Sequence, residues 1–142
     1  LLDLEIGSVG LTEDYCSTLG VYTEHSERAP RFTPISALIK YPSLPHYYPG
    51  GTDVHIKHKA DKETKRIIGG QVLCKSGAAG AAAPWRSAST HLRVNMISLA
   101  IQNKMTIADI LKSDFCYSPP VTDVWEPVMI AAQAVAARLS KL

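Results

Sequence analysis

The sequence predicts an α+β fold in which an antiparallel sheet packs on about three helices. Two observations carry this prediction: strand-like patterns dominate the first half of the chain, and three helical patterns follow one another in the second half. Strands followed by a run of helices favour an antiparallel sheet, whereas alternating strands and helices would favour a parallel one. The 142 residues are enough for one domain with a buried core.

The first third of the chain is expected to contain a strand, a short helix, an edge strand and a loop. Residues 4–11 form the strand, and Thr12 is placed to cap a short helix that Gly20 ends. The polar, alternating segment 21–28 is typical of an edge strand. Five prolines between residues 29 and 51 favour a loop over regular structure, because each fixes φ and lacks an N–H donor.

The clearest strand pattern is a β-hairpin. Residues 54–60 alternate in polarity, residues 61–65 form a polar turn, and residues 66–74 return as an apolar strand. The glycine pair at 69–70 predicts a bulge or the close approach of another backbone. The stretch 76–90 is rich in glycine, alanine and serine, and it is expected to be a flexible insertion.

Two helices are predicted after the hairpin. Residues 91–103 are apolar on most faces of a helical projection, which predicts a buried helix. Thr106 and Asp109 have the spacing of a capping box. A short helix is therefore expected from Ile107 to about Lys112.

The last helix is predicted from its first two positions and from its apolar stripe. Glu126 is expected to be the cap, and Pro127 stands at the first helical position, where proline is favoured. The alanines in the stripe allow an unusually close approach to a neighbouring element, and this helix is expected to contribute to an apolar face between subunits. The stripe consists of Val128, Ala131, Ala132, Val135 and Leu139.

Composition excludes several classes of function. The net charge is only +2, and the basic residues are scattered, so no nucleic-acid partner is expected. No apolar run reaches the roughly 18 residues of a membrane span. Three distant cysteines favour a reduced, cytoplasmic compartment. His55 and His58 lie three apart on a strand and point to opposite faces, so no metal site is expected.

Five motifs occur in an order that resembles a known family. Together they are similar to the C-terminal dimerisation domain of the pyridine nucleotide-disulfide oxidoreductases. Among these proteins, the single-cysteine branch of coenzyme A disulfide reductases and NADH oxidases is the most similar. The motifs lie at residues 9–13, 45–50, 66–72, 100–109 and 117–120 with 127–128.

The resemblance implies a function for a longer protein. In such proteins the N-terminal part binds FAD and NAD(P)H and carries the redox cysteine. The C-terminal domain forms a homodimer and covers the partner's flavin site, and the substrate is coenzyme A disulfide or a similar small thiol compound. Residues 1–142 open without methionine and contain no Gly-x-Gly-x-x-Gly loop. We therefore expect a dimerisation domain that alone binds no cofactor and is inactive. An NADH oxidase, or a free-standing small-ligand binding module, remains an alternative.

The resemblance also implies two catalytic tyrosines: Tyr117, and one of Tyr47 or Tyr48, of which Tyr48 is preferred. Disulfide reduction passes through a mixed disulfide and releases a thiolate, which benefits from a nearby hydrogen-bond donor. A phenol has a pKa of about 10, so it stays protonated at neutral pH and can donate. The prolines after Tyr117 are expected to hold it on a rigid, extended segment.

Further site residues follow from the same resemblance. Tyr47 and His46 belong to the loop that carries Tyr48, and Arg93 stands for a basic residue near coenzyme A. These three residues are expected to bind substrate. Pro119 and Pro120 are expected to lie at the FAD site, and no residue is expected to bind a metal.

Overall fold

The computed structural model describes residues 4–16, 32–75 and 89–141. Four strands form one antiparallel sheet in the order β1-β4-β3-β2: β1 (Leu4–Gly10), β2 (Pro34–Pro42), β3 (Asp53–Asp61) and β4 (Ile67–Lys75). Residues 13–16 are helical, and their N-terminus is capped by Thr12. The later helices are α1 (Ser89–Gln102), α2 (Ile107–Lys112) and α3 (Pro127–Leu139). The predicted α+β class is confirmed.

One face of the sheet carries the core. α1 packs on β4 and β1, while α3 packs on β2, β3 and α2. The alternation on β3 turns Val54, Ile56 and His58 towards the helices, and the register places Val72 and Cys74 beside them on β4. Burial of the apolar side chains among them, Val54, Ile56 and Val72, is the main force that holds the two helices on the sheet. The predicted hairpin of β3 and β4 is confirmed.

The glycine pair on β4 allows two close approaches, as the sequence predicts. A Cβ atom on Gly69 would lie 2.3 Å from the carbonyl oxygen of Leu11, and one on Gly70 would lie 2.9 Å from the Ile97 side chain. The pairing of β3 with β4 shifts register between Lys59 and Ala60, opposite this pair. Gly69 thus admits the backbone that follows β1, and Gly70 admits α1.

The expected proline-rich loop 29–51 is wrong in its central part, where β2 forms. Pro34 and Pro42 are the first and last residues of this strand. β2 lies at the edge of the sheet, and strand ends and sheet edges are the places where a missing N–H donor is tolerated. Of the rest of the predicted loop, residues 29–31 lie outside the described residues, and residues 43–51 belong to the connection from β2 to β3.

Two expectations about the helices are corrected by their burial. α1 is not buried on most faces, because Leu92 and Leu99 are 50% and 61% exposed. The stripe on α3 lies inside its own subunit: Val128, Ala132 and Val135 are fully buried against the sheet. α3 therefore uses its apolar stripe to close the core, and that stripe does not form a surface between subunits.

Other expectations fall partly or wholly outside the described residues. The edge strand at 21–28 and most of the insertion at 76–90 lie there, while residues 89 and 90 already belong to α1. Within the described ranges, no helix is long and apolar enough to cross a membrane. The same part of the chain contains no group of three or more His, Cys, Asp or Glu side chains that could hold a metal ion.

Candidate functional site

Two tyrosines meet at the surface of the domain. The phenolic oxygens of Tyr47 and Tyr117 lie 2.7 Å apart and share a hydrogen bond in which either can be the donor. Tyr47 is 61% exposed and Tyr117 is 48% exposed. A hydrogen-bonded pair of phenols on an open surface is able to donate to a group that approaches from outside.

Tyr47 is held by the connection between β2 and β3. The Ser43 N–H donates to the Thr52 carbonyl oxygen at 2.8 Å, and the Thr52 N–H donates to Ser43 Oγ at 3.0 Å. These bonds close the base of the loop, and the Tyr48 N–H donates to the Pro45 carbonyl oxygen within it. His46 then packs its ring edge against Tyr47, with the ring planes at 82°.

Tyr117 precedes a tight turn rather than an extended segment, which corrects the expectation from its prolines. The N–H groups of Val121 and Thr122 both donate to the Ser118 carbonyl oxygen at 2.8 Å. Pro119 and Pro120 fill the two central positions of this turn, where their fixed φ limits the backbone. The rigidity expected beside Tyr117 thus comes from a closed turn.

Arg93, which the sequence predicts to contact substrate, lies in a buried ion pair with Glu126. Its Nε donates to Glu126 Oε1 at 2.7 Å and its Nη2 donates to Glu126 Oε2 at 3.0 Å. Arg93 is only 4% exposed, so its guanidinium has no surface to offer a ligand in this fold. Glu126 occupies the cap position of α3, but its side chain makes no capping hydrogen bond.

Thr122 joins this ion pair, and sequence reasoning missed it. Its hydroxyl donates to Glu126 Oε2 at 2.8 Å, and the residue is buried. Arg93 and Glu126 are 33 positions apart in the sequence, so no local sequence pattern predicts that they pair. The only available signal is the Thr-x-x-x-Glu spacing just before Pro127, which also fits a simple loop.

The phenol pair favours the protonated state of Tyr47. The hydrogen bond with Tyr117 raises the pKa of the Tyr47 phenol above its ordinary value of 10.0, and the Asp123 carboxylate acts in the same direction. A hydrogen bond to the neutral form and a nearby negative charge both oppose ionisation. Tyr47 therefore remains a donor throughout the neutral pH range.

Tyr48 and His46 line a separate groove of about 600 Å³ at the edge of the sheet. Leu73 and His55 form part of its floor, on the face of the sheet opposite α1 and α3. Consecutive residues of the loop thus point in different directions, and it is Tyr47 rather than Tyr48 that meets Tyr117. Among the tyrosines of this loop, Tyr47 shares the hydrogen bond with Tyr117, and Tyr48 lines the groove.

Several known proteins are similar to this chain in sequence and in fold. The family "Pyridine nucleotide-disulphide oxidoreductase, dimerisation domain" matches residues 1–129. The chain is 30% identical over 134 residues to an NAD(P)H sulfur oxidoreductase (CoA-dependent) of Pyrococcus furiosus, covering 94% of this chain and 25% of that protein. It is 30% identical over 142 residues to an NADH oxidase of Methanocaldococcus jannaschii, covering 97% of this chain and 25% of that protein.

The fold of this chain is also similar to that of a solved NADH oxidase. The water-forming NADH oxidase from Lactobacillus brevis, bound to NADH, superimposes with a TM-score of 0.77 at 25% sequence identity, covering 99% of this chain and 26% of that one. The chain spans about a quarter of the length of the curated relatives it matches. By its sequence and its fold, it belongs to the dimerisation-domain family of the pyridine nucleotide-disulphide oxidoreductases.

Proposed function

We propose that this chain is the dimerisation domain of an FAD-dependent, NAD(P)H-linked disulfide oxidoreductase similar to coenzyme A disulfide reductase. In this proposal the domain completes the active site of the partner subunit. The observation that carries the proposal is the exposed hydrogen bond between Tyr47 and Tyr117. Membership of the family supports the oxidoreductase class. The CoA-dependent relative supports a substrate related to coenzyme A.

The phenol pair suits the chemistry of disulfide reduction. An enzyme thiolate attacks one sulfur of the substrate disulfide, the S–S bond breaks, and the second sulfur leaves as a thiolate while a mixed disulfide forms. A hydrogen-bond donor beside the leaving sulfur stabilises its charge. Tyr47 and Tyr117 carry two phenolic protons; one lies in their mutual bond and the other can point outward. One phenol thus donates to the thiolate while the second supports the first.

FAD and NAD(P)H belong to the full-length protein in this proposal. A bound flavin would supply the electrons that reduce the mixed disulfide. Pro119 and Pro120 fit beside such a group, because their half-buried turn directly follows Tyr117 and presents apolar rings without N–H donors. The sequence of 142 residues contains no Gly-x-Gly-x-x-Gly loop for a dinucleotide. We therefore expect the isolated chain to bind neither cofactor and to be inactive.

The substrate contacts are assigned to the loop between β2 and β3. Tyr47 contacts the substrate through the phenol pair, and His46, whose ring packs on Tyr47, lies next to the same position. Tyr48 faces the groove instead, so we place it outside the reacting group. Because Arg93 is buried in its ion pair with Glu126, we assign it a structural role in this proposal.

We propose a cytoplasmic homodimer. Since the stripe of α3 is buried within the subunit, association uses apolar side chains that stay on the surface. These include Ile6 and Leu38, which lie on the face of the sheet opposite the helices. Cys16, Cys74 and Cys116 form no disulfide within the described ranges, which fits a reducing compartment.

An NADH oxidase is the second candidate function. It is favoured because the relative from Methanocaldococcus jannaschii and the solved protein from Lactobacillus brevis are both NADH oxidases. In that case the acceptor is oxygen, and the phenol pair has no thiolate to stabilise. The two candidates therefore differ in whether the tyrosines matter for turnover.

The test is NAD(P)H oxidation by the full-length enzyme with coenzyme A disulfide or with oxygen as the only acceptor. Tyr117→Phe and Tyr47→Phe should each lower kcat with the disulfide by about 100-fold or more, which is the usual contribution of a positioned proton donor. Tyr15→Phe is the matched control, because Tyr15 is a comparably exposed phenol on the helical segment 13–16. Full turnover of both variants with the disulfide would refute the proposal, and turnover with oxygen alone would favour the oxidase.

A further inference from the structure

We propose that Arg93, Glu126 and Thr122 are positioning residues for Tyr117, acting by fixing the return arm of the turn that carries it. This inference rests on the function proposed for the phenol pair, because it explains how one member of that pair is held. The three side chains form one buried hydrogen-bonded network between α1, the turn and the start of α3. None of them contacts the reacting atoms.

The turn connects this network to the phenol through very few bonds. Tyr117 precedes Ser118, and Ser118 pairs with Thr122 in an isolated β-bridge closed by the Thr122 N–H. Pro119 and Pro120, between the two arms, restrict the remaining backbone freedom. Fixing Thr122 therefore fixes the backbone from which the Tyr117 side chain projects.

Thr122 is itself fixed by a carboxylate that cannot easily move. Glu126 is 5% exposed, and its two oxygens accept three hydrogen bonds, two from the Arg93 guanidinium and one from the Thr122 hydroxyl. A bidentate arginine–carboxylate pair has strict geometry. Displacing a buried charge from its partners is costly. The carboxylate thus provides a rigid reference point at the N-terminus of α3.

Tyr117 needs such support because little else holds it. Its side chain is about half exposed, and the hydrogen bond to Tyr47 is the one recorded for its hydroxyl in the described part of the chain. That bond has an oxygen–oxygen distance of 2.7 Å, and such bonds weaken steeply with small displacements. A misplacement of about 1 Å in a reacting group can cost about 100-fold in rate.

Apolar side chains in place of Arg93, Glu126 and Thr122 would also fill the core, but they would not fix the position of the turn. Buried ion pairs are often no more stabilising than apolar residues of similar volume. The hydrogen bonds of an ion pair, however, fix how its groups are oriented. The third donor to Glu126 is the Thr122 hydroxyl, which belongs to the turn and not to a helix. The network thus links the position of the turn to the position of α1.

The experiment removes one hydroxyl from the turn. Thr122→Val keeps the shape of the side chain but deletes the bond to Glu126, and Thr122→Ser restores the hydroxyl. The 142-residue chain is labelled at the ζ-carbon of tyrosine, and each phenol is titrated by NMR. We expect Thr122→Val to bring the pKa of Tyr47 back towards its ordinary value, because the bond with Tyr117 is lost, and Thr122→Ser to retain the raised pKa.

The matched control is Thr106→Val. Thr106 Oγ1 also donates to a carboxylate, that of Asp109 at 2.7 Å, so this variant loses the same kind of bond and some stability far from the turn. It should leave the titration of Tyr47 unchanged. A Tyr47 titration in Thr122→Val that matches the unsubstituted chain would overturn the inference, as would an equal change in Thr106→Val.

A kinetic measurement separates this inference from the proposed function. In the full-length enzyme, Thr122→Val should lower kcat with coenzyme A disulfide about 10-fold, leave the KM for NAD(P)H unchanged, and be rescued by Thr122→Ser. A change in the Tyr47 titration without a change in kcat supports the positioning role and contradicts the catalytic role of the phenol pair. An altered kcat with an unaltered titration contradicts the positioning role.

Discussion

The phenolic oxygens of Tyr47 and Tyr117 lie 2.7 Å apart, although the two residues are separated by 70 positions in the sequence. One comes from the connection between β2 and β3, and the other from the turn before α3. The fold therefore brings two proton donors to one exposed point, and each is anchored by a separate set of hydrogen bonds.

The raised pKa of Tyr47 should depend on Tyr117. In Tyr117→Phe, the pKa of Tyr47 should fall back towards 10.0, because the bond between the two phenols is the main reason that it is raised. The pair stabilises the fold fully below the ordinary pKa, and its contribution is lost as pH rises through the raised value. NMR titration of the phenols measures this shift. Tyr48→Phe, one residue away but facing the groove, should leave the Tyr47 titration intact.

Breaking the buried ion pair from one side should be costly. Arg93→Met leaves the Glu126 carboxylate buried with Thr122 as its remaining donor, and should lower the free energy of unfolding by about 3–5 kcal/mol. Arg93→Met with Glu126→Leu should recover much of this loss, since no buried charge is left unpaired. Urea denaturation measures the free energies of unfolding of the single and the double variant.

The control for this prediction is a surface ion pair. Lys40→Met removes the pair of Lys40 with Asp53, whose side chains are 61% and 53% exposed. Such pairs contribute at most about 1 kcal/mol, so the free energy of unfolding should hardly change. An equal loss in Lys40→Met and Arg93→Met would contradict the special role of the buried pair.

His58 should make the fold sensitive to acid. It is fully buried, and both of its ring nitrogens lack hydrogen-bond partners within the described residues. Burial lowers the pKa of His58 from 6.5 to about 4. The folded state therefore binds the proton less readily, and stability should fall as pH drops from 6.5 to about 4, by a total of ~3 kcal/mol.

Substituting His58 should remove this dependence. The free energy of unfolding of His58→Leu should be nearly flat over the same pH window, as measured by urea denaturation at several pH values. His46→Gln, which removes an exposed histidine, serves as the control and should keep the slope of the unsubstituted chain. An unchanged slope in His58→Leu would show that another group titrates.

Gly69 should tolerate no side chain. A Cβ atom there would lie 2.3 Å from the Leu11 carbonyl oxygen and 3.1 Å from the Leu11 nitrogen, and backbone atoms cannot move aside as a flexible side chain can. Gly69→Ala should cost at least about 1–3 kcal/mol, the usual effect of overpacking. Gly51→Ala is the control, because its Cβ would meet Leu44 at 3.4 Å, an ordinary contact. Thermal unfolding measures the stability of each variant, and Gly69→Ala should unfold at a clearly lower temperature than Gly51→Ala.

Local patterns were enough to predict much of the fold. The alternation on β3, the capping box of Thr106 and Asp109 and the proline at the start of α3 all act within a few residues, and the structure confirms each. The sequence does not predict β2, because Pro34 and Pro42, which stand at the two ends of this strand, favour a loop. A strand at the sheet edge accepts proline, but only the tertiary arrangement shows which strand is the edge.

The site was harder to predict because its geometry is not local. The resemblance indicated the tyrosines, but the choice between Tyr47 and Tyr48 depends on which way each points from an irregular loop, and loops have no fixed period. The burial of Arg93 depends on Glu126, a distant partner. A sequence pattern shows that such a residue is charged, but it does not predict whether the residue is buried or which residue it pairs with.

The most direct test of the account is restoration of activity in mixed dimers. One full-length subunit would carry Tyr117→Phe, and the other would lack its redox cysteine; each parent homodimer should be nearly inactive with coenzyme A disulfide. If the phenols serve the partner's site, the mixed dimer has one complete site and should recover about half of the activity per dimer. Mixed dimers as inactive as both parents would show that Tyr117 does not act across the interface.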